Sequence, residues 1–220
     1  MSTLTTNYLE IIERLPAGAL LRLQNVSWDD YEHLLTQMDS HPGHRLSYDS
    51  GRLIIVSPTS EHELYKEFAH ILIFILSEEM ELVVETAGAT TFKDKLLNKG
   101  LEPDTCVYVQ NAARVIGKRR LTLGADPPPD VAVEIDMSSD SLDKLPIYAS
   151  MGVPEIWRYD GKAAHFYKLV GESYEVTQDS IAFPGFTSQD FGQYLERSSV
   201  EGQTAAAKAF RRMLRSRDSS

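Results

Sequence analysis

The segment from Ser60 to about Met80 sets the first constraint on the fold. Ser60 has Glu63 three residues on, and Leu64, Phe68, Leu72, Ile75 and Leu76 recur at helical spacing. The pattern predicts the longest helix of the chain, most of it core. Strand-like segments follow at residues 81–86, Thr105–Val109 and Val131–Ile135, the last preceded by Pro127-Pro128-Pro129. Upstream, Ser27-Trp28-Asp29-Asp30 reads as a capped helix start running to about Met38, and Arg45–Tyr48 and Arg52–Val56 flank the turn-forming Asp49-Ser50-Gly51.

Downstream, a helix is expected from roughly Asp143 to Met151. Pro146 must lie in its first turn, because an interior proline removes a hydrogen bond and clashes with the preceding turn, so the helix begins close to Lys144. Glu155–Tyr159 and Ala163–Leu169 then flank Asp160-Gly161-Lys162 as a second hairpin, Tyr174–Thr177 adds a strand, and Thr187 with Asp190 opens a short helix ending near Leu195. This order predicts an α/β (α+β) fold, a mixed central β-sheet flanked by helices.

A chain of 220 residues with 42% hydrophobic content supports one sizeable core. One domain is expected over residues 1–197. Beyond Arg197 the composition shifts to Ser, Gly, Gln, Ala and Arg, so residues 198–220 read as a basic appendage, helical from about Thr204 to Arg215. The most apolar stretch, Phe68 to Leu76, is about half the ~18 residues a membrane span needs and contains His70. A soluble protein with no membrane partner is expected, and the lack of a signal-peptide pattern after Met1 points to the cytoplasm. Cys106, the single cysteine, lies among Val107, Tyr108 and Val109 and reads as a small buried side chain.

The residue that points to chemistry is Glu134. It interrupts Val131-Ala132-Val133-Glu134-Ile135, where an acid facing a core needs a partner or a metal; the alternative is a strand that turns Glu134 to a solvated face. Asp104, after Pro103, begins the preceding strand segment, although a Pro-Asp pair is also common at turns. Neighbouring strands can bring two such acids together, and Mg²⁺ is held by only one or two carboxylates with several waters. A nearby lysine would orient an attacking water as a compact charge.

Several short motifs together resemble a known family. Asp130-Val-Ala-Val-Glu134, Lys144-Leu-Pro-Ile-Tyr148 and Gly152-Val-Pro-Glu-Ile-Trp157-Arg-Tyr-Asp160 look like the Uma2 family, also called DUF820. Asp49-Ser-Gly51-Arg-Leu, Ser57-Pro58-Thr-Ser60-Glu-His62 and Pro103-Asp104 match upstream in the same order, so the resemblance covers roughly residues 27 to 195. It implies a restriction-endonuclease-like fold of the PD-(D/E)XK superfamily and a Mg²⁺- or Mn²⁺-dependent endonuclease acting on DNA, with Asp104 and Glu134 as metal ligands. The superfamily's usual lysine, two positions after the glutamate, falls here on Asp136. Either the lysine has migrated to Lys144, or the site has lost it and the chain is a catalytically silent interaction or nucleic-acid-binding module. A lysine at a helix start opposes the helix dipole, which points to a specific acidic partner among Asp136, Asp140 and Asp143, or else to a surface salt bridge.

The resemblance also includes His62, as a cleft residue or a cap. Glu63 and Glu67, one turn apart on the long helix, are candidates for a further metal ligand. Trp157 is expected in the core or at a subunit interface, with base stacking as the other reading. The net charge of −10 is unfavourable for binding DNA, which must rely on local patches: Lys118-Arg119-Arg120, and Lys208, Arg211, Arg212, Arg215 and Arg217. A homodimer is expected, since double-strand cleavage by a one-site nuclease requires two copies.

Overall fold

A computed structural model gives the structure of the protein over residues 3–38, 43–137 and 144–218. In chain order the elements are α1 (Thr3–Glu13), β1 (Leu20–Leu23), α2 (Trp28–Met38), β2 (Arg45–Asp49), β3 (Arg52–Val56), α3 (Ser60–Glu79), β4 (Glu85–Thr86), β5 (Phe92–Asp94) and β6 (Lys99–Leu101). There follow β7 (Thr105–Tyr108), α4 (Ala112–Val115), β8 (Val131–Ile135), α5 (Leu145–Ser150), β9 (Glu155–Tyr159), β10 (Ala164–Val170), β11 (Ser173–Thr177), α6 (Ser188–Glu201) and α7 (Gln203–Asp218). The fold is mixed α and β, with two multi-stranded sheets flanked by helices. The chain divides into two compact units, residues 1–60 with 91–102 and residues 61–90 with 103–220.

The first unit carries an antiparallel sheet in the order β1-β3-β2-β6-β5. Its central hairpin turns on Ser50 and Gly51, both with positive φ (50° and 95°), as a two-residue hairpin loop of the favoured twist requires. Tyr31, Leu34 and Met38 of α2 pack with Leu46, Tyr48, Leu53 and Ile55, and the Tyr31 ring stacks on Tyr48 at 4.7 Å. That stack runs over β6 at Gly100, where a Cβ would stand 2.8 Å from the Tyr31 ring. Only glycine allows this approach.

The second unit carries a mixed sheet in the order β11-β10-β9-β8-β7-β4, in which β8 and β9 are the parallel pair. A parallel pair needs a crossover connection, and the segment containing α5 provides it. Val107, Val131, Val133, Ile135, Trp157, Tyr159 and Phe166 belong to one apolar cluster with Phe68, Leu72 and Leu76 of α3 and Phe191 and Leu195 of α6. Trp157 is fully buried there and stacks on Phe166 at 4.7 Å, which makes it a core residue and removes both the interface and the base-stacking readings. Its Nε1–H donates to Glu155 Oε1 at 2.6 Å.

Two expectations are corrected in this unit. The strand predicted over residues 81–86 shortens to Glu85–Thr86, paired with Tyr108 and Val107 of β7. The segment expected as a basic appendage is instead structural: Ala206, Ala209, Phe210 and Leu214 of α7 are buried in the apolar cluster. Three of its four arginines are engaged in ion pairs, Arg211 and Arg215 with Glu79, and Arg217 with Asp190, which also closes the capping box of α6 with Thr187. The amphipathic spacing of this stretch was readable, but its high arginine content masked the buried face. No helix among the described residues is long and apolar enough to cross a membrane.

Candidate metal centre

The antiparallel register of β7 and β8 sets Thr105 opposite Val133 and Cys106 opposite Ala132. Carried one step further, it sets Asp104 opposite Glu134, and opposed residues on an antiparallel pair share a face. This is the sheet face that also carries Cys106, Ala132, Ile156 and Arg158, opposite to the face packed on α3. Pro103 has no N–H to continue the ladder, and the Ile135 N–H donates to Asp104 Oδ2 at 2.7 Å. The strand ends where the carboxylate begins its work as an acceptor.

Both acids are buried, Asp104 at 4% and Glu134 at 3% exposure. Asp104 Oδ1 lies 3.0 Å from His62 Nε2, while His62 Nδ1 lies 3.2 Å from Glu63 Oε1. Glu134 Oε2 accepts from Lys144 Nζ at 2.7 Å, and Oε1 accepts from the Tyr148 hydroxyl. Lys144 is the N-cap residue of α5, with Pro146 in the first turn. The dipole cost of a cation there is offset by the Glu134 carboxylate. Of the acids proposed as its partner, Asp136 adds an attractive charge, and Asp140 and Asp143 lie outside the described residues.

The electrostatics divide the two carboxylates. Burial works against ionisation of Asp104, but the His62 hydrogen bond and charge, Lys144 and the Ile135 N–H outweigh it and hold the group below its ordinary range. Glu134 is pushed up by burial and by the charge of Asp104, against the pull of Lys144 and Tyr148. Burial opposes charge on Lys144 as well, yet the two carboxylates raise its pKa and keep it protonated. His62 is likewise raised, burial being outweighed by Asp104 and Glu63.

These residues fit a divalent cation. The repulsion that raises Glu134 is one a cation between the acids would relieve, and each carboxylate oxygen has a second acceptor direction beyond its present partner. Mg²⁺ asks no more than two carboxylates and waters. Among the described residues there is no group of three or more His, Cys, Asp or Glu poised to hold a metal, so Asp104 and Glu134 would have to serve with water. Glu67 does not join them: its side chain is 61% exposed and lies 3.7 Å from Lys66. Glu63 is engaged by Lys66 and His62.

Asp136, in the usual lysine position, accepts from Arg158 Nη2 at 2.9 Å and Nε at 3.2 Å, so that place holds a buried ion pair to β9. Sequence reasoning gave no role to Tyr148, although its i, i+4 spacing from Lys144 on a helix was the available signal. The loop bearing Lys118-Arg119-Arg120 follows α4, beyond the Tyr108 end of β7, whereas Asp104 precedes the other end. Lys118 pairs with Asp126, and Arg119, Arg120, Lys208 and Arg212 are exposed.

Among solved structures, the chain is similar to one described as "a putative nuclease belonging to DUF820" from Anabaena variabilis, with 14% identity and a TM-score of 0.46, covering 68% of this chain and 90% of that one. A search of curated proteins finds no match. The profile of the Uma2 family, described as "Putative restriction endonuclease", matches residues 28–197, and the chain belongs to that family.

Proposed function

We propose that the protein is an endonuclease that hydrolyses DNA phosphodiester bonds with Mg²⁺ or Mn²⁺, Asp104 and Glu134 holding the metal and Lys144 assisting the attacking water. The observation that carries this reading is the buried Asp104–Glu134 pair on one sheet face with the Lys144 ammonium 2.7 Å from Glu134. A divalent cation bound there would activate water and offset the charge that builds on the transition state. Lys144 has three N–H donors and Glu134 takes one, which leaves others to orient a water or a phosphate oxygen. His62 Nε2 meets Asp104 Oδ1 and the Ile135 N–H donates to Oδ2, so both oxygens of that carboxylate are held.

The test is cleavage of supercoiled and linear DNA, and of RNA, with each metal. Cleavage is expected with wild type and is lost in Asp104→Ala while circular dichroism stays unchanged. No cleavage of any nucleic acid with either metal speaks against the reading. A silent interaction module on the same fold is the second reading, favoured by the Asp136–Arg158 pair where a catalytic lysine usually stands. Calorimetric titration with Mn²⁺ separates the two. A cytoplasmic homodimer goes with the nuclease reading, and sedimentation equilibrium measures the stoichiometry.

A further inference from the structure

Lys144 and Tyr148 reach Glu134 from one side. They stand four residues apart at the start and middle of α5, and residues so spaced lie over one another on one helix face. They take different oxygens: the ammonium donates to Oε2 and the phenol to Oε1. The terminal torsion of a glutamate is broad, so one donor on one oxygen leaves the carboxylate plane free to swing. Two donors from a single helix turn fix both its place and its plane. Pro146 between them presets the backbone of that turn.

Packing alone does not call for a hydroxyl here. Tyr148 is 1% exposed, and a phenylalanine would fill the same space without a polar atom that must find a partner. The same burial keeps its hydroxyl from touching a substrate. We infer that Tyr148 is a positioning residue: with Lys144 it forms a two-point clamp that sets the orientation in which Glu134 faces a divalent cation beside Asp104. This rests on the metal centre proposed above.

The test compares wild type with Tyr148→Phe and with 4-fluorophenylalanine at position 148, which keeps the volume and lacks the donor, and 4-aminophenylalanine, which restores one. Crystal structures of the metal-free proteins report the Glu134 carboxylate, and calorimetry with Mn²⁺ reports the site. Without the donor, Glu134 is expected in more than one orientation and Mn²⁺ affinity is expected to fall about 10- to 100-fold, as for loss of a partner that orients a metal ligand. kcat should fall with KM unchanged, and the amino variant should recover most of each loss. A single, unmoved Glu134 together with wild-type Mn²⁺ affinity in the donor-less variants overturns the clamp. If wild type itself takes up no Mn²⁺, the nuclease reading fails, and the Glu134 orientation in the crystals still decides for or against the clamp.

Discussion

Replacing Lys144 with methionine keeps most of the side-chain volume and removes the cation from Glu134. Both partners are buried, with 13% and 4% of their side chains exposed, so solvent cannot screen the loss. Removing one partner of a buried pair costs about 3–5 kcal/mol, and the partial exposure of Lys144 points to the lower end, about 3 kcal/mol. Glu134 has an escape, because it can take a proton. Its pKa is already raised by burial and by Asp104, and loss of Lys144 raises it further. An acid raised in the folded state carries its penalty above its unfolded pKa and loses it as pH falls toward that value. One proton held by the folded chain and not by the unfolded one tilts stability by about 1.4 kcal/mol per pH unit, so a ~3 kcal/mol penalty accumulates over roughly two units. Urea unfolding in EDTA should therefore show Lys144→Met close to wild type near about pH 5 and about 3 kcal/mol weaker near about pH 8. Adding Glu134→Gln should flatten that difference. A deficit that is the same at both pH values, or that survives the Glu134→Gln change, would refute the reasoning.

Phe210→Ala removes a fully buried ring that meets Tyr194 at 4.8 Å and Phe186 at 5.7 Å, and should cost about 3–5 kcal/mol in a urea melt. A cost under about 1 kcal/mol would return α7 to the status of an appendage. Burial pushes the Cys106 thiol up to about 12, so the folded protein should resist thiol reagents at mildly alkaline pH and react only on unfolding. Rapid labelling of the folded chain at the rate of a free cysteine would contradict that placement.

Much of this fold was legible because periodicity reports burial directly. The α3 pattern, the Asp49-Ser50-Gly51 turn and the Thr187–Asp190 cap all appear where local chemistry put them. The short strands β1, β5 and β6 were not, because three or four residues give little period to read and their place depends on partners distant in sequence; β7, equally short, was legible only because Thr105–Val109 is an apolar run. The site divides in the same way. An acid inside Val131–Ile135 announces a buried charge, but which groups meet it depends on pairing, and neither Tyr148 at Oε1 nor Arg158 at Asp136 follows from composition.

The register that brings Asp104 opposite Glu134 makes the site a matter of parity. Side chains along a strand alternate with period two, so a one-residue insertion or deletion within β7 or β8 turns one acid to the far face, into the Val133 and Trp157 packing. A two-residue change keeps the face and shifts the acid along the strand by about 7 Å. Without a compensating bulge, relatives that differ in length here can therefore keep the paired acids only in even steps, whereas loops away from these strands are free to vary by any number.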